Sequence, residues 1–150
     1  MIFNRKQTRS SRNNVIVVNK PGNEIITESF NRLKDNILFF NADNKVKIIQ
    51  ISSSTACEGK TTVIANLAVT MANNGLKVLL VEGDLRAPRI HHAFNLENEF
   101  GIYDYMLHNK SLKEIVKHTD VKVDVITRGE KIENPSAVIA SEKYKNLITQ

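Results

Sequence analysis

The chain has 150 residues, 41% of them hydrophobic and 25% charged, which suffices for one domain with its own core. No apolar run reaches the roughly 18–20 residues that span a bilayer, and the stretch at residues 15–18 is shorter than the roughly 7–15 of a signal-peptide core, so a cytoplasmic location is expected. The net charge of +5 resides in residues 1–20, which hold Arg5, Lys6, Arg9, Arg12 and Lys20 and no acid, whereas the remainder carries 16 bases and 16 acids. That distribution argues against specific nucleic-acid binding as the main role, and the single cysteine, Cys57, excludes an intramolecular disulfide.

Residues 1–20 read as a basic, flexible tail with a short extended segment at residues 15–18. Such a tail suits a solvated leader or an anionic membrane face, where each charge is worth about 1 kcal/mol. Pro21, Gly22 and Asn23 break the chain. Ile26, Phe30, Leu33, Ile37 and Phe40 recur at spacings of four and three, which predicts a helix over residues 24–40, ended by residues 41–44. Residues 47–52 read as a short buried strand and residues 53–60 as a loop. Residues 61–73 read as a helix with Val63, Leu67, Ala68 and Met71 on one face, stopped by Asn74 and Gly75. Residues 77–82 form a second apolar strand, and the whole unit from 47 to 82 predicts a right-handed parallel crossover.

Farther along, Ser111 and Glu114 match a capping box opening a helix whose apolar side is Leu112, Ile115 and Val116. Residues 121–127 alternate as a third strand. Asn134 and Pro135 fit an N-cap and first helical position, with a helix break expected near Ser141. The expected fold is α/β: a P-loop NTPase-type parallel sheet with flanking helices, occupying residues 21–150 after the tail.

Residues 54–61 follow a predicted strand and open a predicted helix, the context of a phosphate-binding loop. A helix N-terminus offers unpaired N–H groups and a partial positive charge. Gly59 lets the backbone approach a phosphate, Lys60 adds a charge toward the β and γ phosphates, and the Thr61 hydroxyl suits Mg²⁺. The expected ligand is MgATP, held by Ser54, Thr55, Ala56, Cys57, Glu58, Gly59, Lys60, Thr61 and Thr62. Ser54 stands where G-x-x-x-x-G-K-[ST] has its first glycine. Glu58 places an anion beside the phosphate position and must point to solvent or a partner. Cys57 reads as a small loop residue.

The second strand ends in Glu82, Gly83, Asp84, Leu85 and Arg86. On an extended chain two carboxylates at i and i+2 point the same way, and the carboxyl ends of strands in open α/β sheets bind ligands. Carboxylates there hold Mg²⁺ or accept a proton from an attacking hydroxyl. The pair His91 and His92 has no further ligand at metal spacing, which favours packing for His91.

These pieces together resemble the bacterial tyrosine kinases of capsular and exopolysaccharide synthesis, the CpsD/CapB family. The resemblance rests on E-S-F-N-R-L-K-D-N at 28–36, E-G-K-T-T at 58–62, N-L-A at 66–68, V-L-L-V-E-G-D-L-R-A-P at 78–88, H-H-A-F at 91–94, the Gly101 region and N-P-S at 134–136. It implies a P-loop fold related to the MinD and partition ATPases, and an autophosphorylating, ATP-dependent protein-tyrosine kinase that uses Mg²⁺. It further implies that Lys60 serves phosphate, that Thr61 and Glu82 serve the metal, and that Glu82, Asp84 and Arg86 match the second Walker motif, usually D-x-D-x-R. Lys60, Glu82, Asp84 and Arg86 are thus the expected catalytic set.

A transmembrane activator or adaptor of polysaccharide chain-length control, protein tyrosine substrates and a homo-oligomer follow as implied partners, with membrane association through the adaptor. In the family's ring-forming helix motif, E-x-x-R-x-x-R, the matching positions are Glu28, Asn31 and Lys34. The family continues into a Walker B strand ending in D-[ST]-P-P and a tyrosine-rich tail, so the expected sheet stops before the Walker B strand, as in a fragment or truncated product. Two alternatives stay open: an impaired module that binds nucleotide or adaptor without turnover, and a MinD/partition-like ATPase, against which the missing lysine early in the loop counts.

Overall fold

The computed structural model describes residues 15–43 and 46–149. The basic residues Arg5, Lys6, Arg9 and Arg12 of the expected tail lie outside them. The elements run α1 (Glu24–Phe40), α2 (Lys60–Asn73), β1 (Val78–Val81), α3 (Ile90–Ala93), α4 (Ile102–Leu107), α5 (Leu112–Ile115), β2 (Val116–His118), β3 (Val123–Ile126), α6 (Pro135–Ala140) and α7 (Glu142–Thr149).

Helix α2 is the hub. Every residue from Ala65 to Ala72 is buried, and the helix packs against α1, β1 and α3. Small side chains make this possible: Ala65, Ala68, Val69 and Ala72 join Leu80, Val123 and Val125 of the sheet in one core cluster. One buried position is polar. Asn66 is fully buried, and its Oδ1 accepts the N–H groups of Val17 (2.7 Å) and Val18 (3.0 Å) while its Nδ2 donates to Val15 O and Thr62 O, both at 2.7 Å. Val18 is only 3% exposed, and the part of the expected flexible tail from residue 15 onward is fastened to α2. A second cluster lies beyond β3, built from Leu85, Ile102, Ile115, Ile126, Ile132 and Leu147.

The sheet has the order β1-β3-β2. Strands β1 and β3 are parallel, with Val78 opposite Val123 and Val81 opposite Ile126. Strand β2 is antiparallel to β3, with Val116 opposite Ile126, so the sheet is mixed where a parallel one was expected. Local geometry causes this. The capping box at Ser111 forms, but its helix ends at Ile115 and Val116 turns extended (φ −75°, ψ 131°). A tight turn then brings the chain back: Lys122 N–H donates to Thr119 O (3.0 Å), Lys122 takes φ +62°, and Thr119 Oγ1 donates to Val123 O (2.8 Å). A connection this short permits only antiparallel pairing.

The strand expected at residues 47–52 is absent. Ile48 is 57% and Ile49 40% exposed, and no described strand pairs with this segment. An apolar run becomes a strand only when a neighbour takes its N–H and C=O groups. The crossover expected over residues 47–82 is thus formed only in its second half, α2 and β1. The helix expected at residues 24–40 forms, although Ile26, Leu33 and Phe40 of its apolar stripe are exposed and its buried residue is Lys34, whose Nζ reaches Asn74 Oδ1 at 2.9 Å. Asn134 caps α6 through Ala137 N–H (3.1 Å), Pro135 is the first helical residue, and Ser141 breaks α6 from α7, as the sequence predicts.

Gly101 sits where its backbone presses on the strand exit at Thr127. A Cβ built there would lie 2.0 Å from Thr127 O and 2.6 Å from Gly129 N, both main-chain atoms that cannot yield like a side chain. Gly101→Ala is expected to destabilise the protein by about 1–3 kcal/mol in urea unfolding. Gly83→Ala, whose Cβ meets nothing within 4 Å, is expected to stay within about 0.5 kcal/mol.

Candidate functional site

Helix α2 and strand β1 are joined by a turn of four residues, so they run antiparallel and the N-terminus of α2 lies toward the carboxyl end of β1. The loop of residues 53–60 and the strand exit at residues 82–90 are thereby brought to one end of the fold. Among the described residues no hydrogen bond or ion pair joins Lys60 or Thr61 to Glu82, Asp84 or Arg86.

Gly59 precedes α2 in the left-handed region at φ +88°, and no side chain caps the helix. The first amides of α2 are consequently available to an anion, and a Cβ at Gly59 would meet nothing, so the space above the loop is open. Lys60 opens the helix and folds its side chain back over the loop, with Nζ donating to Ser53 Oγ (2.8 Å) and Thr55 O (3.2 Å). Ser53 Oγ in turn donates to Thr55 O at 2.9 Å. Glu58 does have a partner: its Oε2 accepts the Thr55 N–H at 3.3 Å. Contact with the Thr55 hydroxyl, then its amide, then the Ser53 hydroxyl, lowers the pKa of this exposed carboxylate. Thr61 is partly exposed at the first turn, while Ser54, Ala56 and Thr62 are exposed along the loop and helix start.

The strand exit departs from the sequence expectation. Glu82 and Asp84 differ in exposure: Glu82, whose N–H still donates to Ile126 O (2.9 Å), is buried, whereas Asp84, just before the bend at residues 85–87, is exposed. Glu82 is 4% exposed and turned inward. Its Oε1 accepts Asp84 N–H (3.0 Å), and its Oε2 accepts Arg89 N–H (2.8 Å) and Ile90 N–H (3.0 Å). Burial pushes its carboxyl above the ordinary range while the three amides pull against that shift. Asp84 is exposed, with Oδ1 accepting from Ala87 N–H (3.0 Å) and Arg86 N–H (3.3 Å), a side-chain-closed turn. Arg86 is also exposed, and its Nη2 donates to Ser136 Oγ at 3.3 Å. Leu85 between them is 2% exposed and anchors the turn in the second core cluster.

Two neighbours of this region were not expected from sequence. Ser136 lies in the N-P-S segment, read from sequence as a helix start and as part of the family resemblance but with no site role. Tyr144 on α7 is half-buried, and burial, then the charge of Glu82, raises the pKa of its phenol. A tyrosine at helical spacing from Leu147 reads as packing, so its facing a carboxylate carries no sequence signal. His91 packs against His92 (ring centroids 3.9 Å apart), and among the described residues no group of His, Cys, Asp or Glu is arranged to hold a metal ion.

The AAA domain family model matches residues 46–148. The tyrosine-protein kinase YwqD of Bacillus subtilis is 37% identical over 145 residues, covering 95% of this chain and 61% of YwqD. The chain is likewise similar to two solved structures: the kinase domain of the Escherichia coli tyrosine kinase ETK (TM-score 0.81, 28% identity, 96% of this chain and 58% of that one) and the chimerical protein CapA2B2 (TM-score 0.77, 34% identity, 89% and 59%). The chain belongs to the AAA domain family and to its nucleotide-binding P-loop class. Within that class it is a member of the bacterial tyrosine-kinase family, as its motifs imply. It spans about three fifths of the length of these relatives.

Cys57 holds φ +64°, a conformation that costs a non-glycine residue about 1–2 kcal/mol. Cys57→Gly removes that strain and adds unfolded-state entropy worth about 0.4–1 kcal/mol. The net expectation is a gain of roughly 0.5–1 kcal/mol, read from the urea midpoint at unchanged m-value.

Proposed function

We propose that this chain is the P-loop part of an ATP-dependent protein-tyrosine kinase acting in capsular or exopolysaccharide synthesis. The observation that carries the reading is the open loop on α2: a left-handed Gly59, uncapped helix amides, and Lys60 held over the loop by hydrogen bonds to neutral oxygens alone. These groups fit a polyphosphate. The Lys60 ammonium exchanges Ser53 and Thr55 for phosphate oxygens without losing an ion pair. The loop amides and the α2 dipole share the remaining charge.

Magnesium fits as well, with the Thr61 hydroxyl and the phosphates as its ligands and Asp84 exposed nearby for a water-bridged contact. The bound ion supplies charge neutralisation for phosphoryl transfer. Asp84, at the end of β1 and open to solvent, is the carboxylate suited to accept a tyrosine hydroxyl proton, and Arg86 the cation suited to steady the transferred group.

The partners follow from the same reading. A transmembrane adaptor's cytoplasmic end is the proposed activator; no helix among the described residues is long and apolar enough to cross a membrane itself. Assembly of copies through α1 is the second proposal. On that helix Glu28 is exposed and pairs with Arg32 at 2.6 Å, whereas Lys34 is held by Asn74 inside the fold, so Glu28 and Arg32 are the charged pair offered to another copy, beside the exposed Ile25 and Phe40.

A specific observation favours the second reading, nucleotide binding without turnover: Glu82, buried and accepting three main-chain N–H groups, is unavailable to the reaction as it stands. Calorimetry with MgATP and a phosphotyrosine immunoblot in the presence of the adaptor's cytoplasmic segment separate the two. Saturable binding with phosphotyrosine supports the kinase; binding alone supports the module. Lys60→Ala is expected to weaken MgATP by about 10- to 100-fold, since a hydrogen bond to a charged group is worth roughly 1.5–3 kcal/mol. Equal affinity in the two proteins defeats both readings. Glu58→Gln is expected to tighten binding about fivefold, because it removes a like charge worth ~1 kcal/mol beside the phosphates.

A further inference from the structure

We infer that Glu82 is a positioning residue that clamps the strand-exit loop, and that Asp84 alone of the two carboxylates is presented for chemistry. The inference deepens the kinase reading and rests on it for what the loop serves; the clamp itself stands on geometry.

The hydrogen bonds come first. A carboxylate offers about four lone-pair sites, and three of those on Glu82 accept main-chain N–H groups at 2.8–3.0 Å. The donors lie on both sides of the bend: Asp84 just after the strand, Arg89 and Ile90 at the start of α3. One side chain thus closes the whole of residues 83–88 into a fixed loop. The reach matters. An aspartate is one methylene shorter and, from the same Cα, would not span to the amides at positions 89 and 90 without moving the loop.

Burial points the same way. Magnesium keeps several of its waters when it binds a carboxylate, whereas Glu82 is 4% exposed. Drawing it out to a metal would strip three amides of their acceptor at once. Leaving it in place fixes the loop at two points, the Glu82 clamp and the Leu85 anchor (2% exposed), between which Asp84 and Arg86 project to solvent. Asp84 closes its own turn through one oxygen, Oδ1, and its Oδ2 takes no part in that turn.

Amide hydrogen exchange by NMR tests this in the full chain. In the wild-type protein without nucleotide, the amides of Asp84, Arg89 and Ile90 are expected to exchange at least tenfold more slowly than that of Gly83. Glu82→Ala is expected to speed these three by about tenfold relative to amides in α2, and Glu82→Gln, which keeps an acceptor oxygen, to restore part of the protection at Arg89 and Ile90. Adding MgADP to the wild-type protein is expected to leave exchange at Arg89 and Ile90 unchanged. Fast exchange at these amides in the free wild-type protein, or deprotection of them when MgADP binds, overturns the assignment; the wild-type measurements decide it even if a variant fails to fold. Calorimetric heat on adding MgADP is read in parallel: its absence counts against the nucleotide reading, while the exchange data without nucleotide still judge the clamp.

Discussion

Helix α2 is the element on which the rest depends. It is buried from Ala65 to Ala72, and it simultaneously supports α1, covers the sheet and carries the phosphate loop on its first turn. Alanine, valine and threonine let neighbours approach closely on several sides of it, while Leu67 and Met71 fill the wider gaps. The helix also cannot leave a polar group unpaired. Asn66 meets this by taking four hydrogen bonds, three of them to the segment at residues 15–18, so that segment and α2 are fastened together by one side chain.

From that arrangement the site follows. The short turn after α2 sends β1 back antiparallel to it, placing the helix N-terminus and the strand exit at the same end. The two halves then handle charge differently. The loop keeps its cation, Lys60, on neutral oxygens and its anion, Glu58, on a backbone amide, so both remain able to exchange partners with a ligand. The strand exit commits one carboxylate, Glu82, to main-chain amides in a buried setting and leaves the next, Asp84, in solvent. Two acidic residues separated by a single glycine therefore differ in setting, one buried against main-chain amides and the other exposed.

Much of this was legible in the sequence where the signal is local. The capping box at Ser111, the Asn134–Pro135 helix start, the break at Ser141 and the glycine before Lys60 each depend on a few neighbouring residues, and each is present. The stripe on α1 and the apolar run at 77–82 predicted element type correctly, β1 covering residues 78–81 of the expected strand. The segment at 47–52 did not become a strand, because hydrophobicity reports a wish for burial and not whether a partner strand is at hand. Strand β2 was hidden inside an expected helix, since Val116 suits either state and the hairpin turn at Lys122 decided it.

What the sequence determined by itself is the family, the glycine-led helix start at Lys60 and the identity of the charged residues around it, because each of these is spelled by a few neighbouring residues. What only the tertiary structure decided is the division of labour among those charges. Whether a carboxylate serves solvent or backbone depends on where the chain bends and what covers it. Glu82 faces inward because Asp84, Arg89 and Ile90 converge on it in space, and that convergence is a property of the fold around the loop, not of the five residues that spell it.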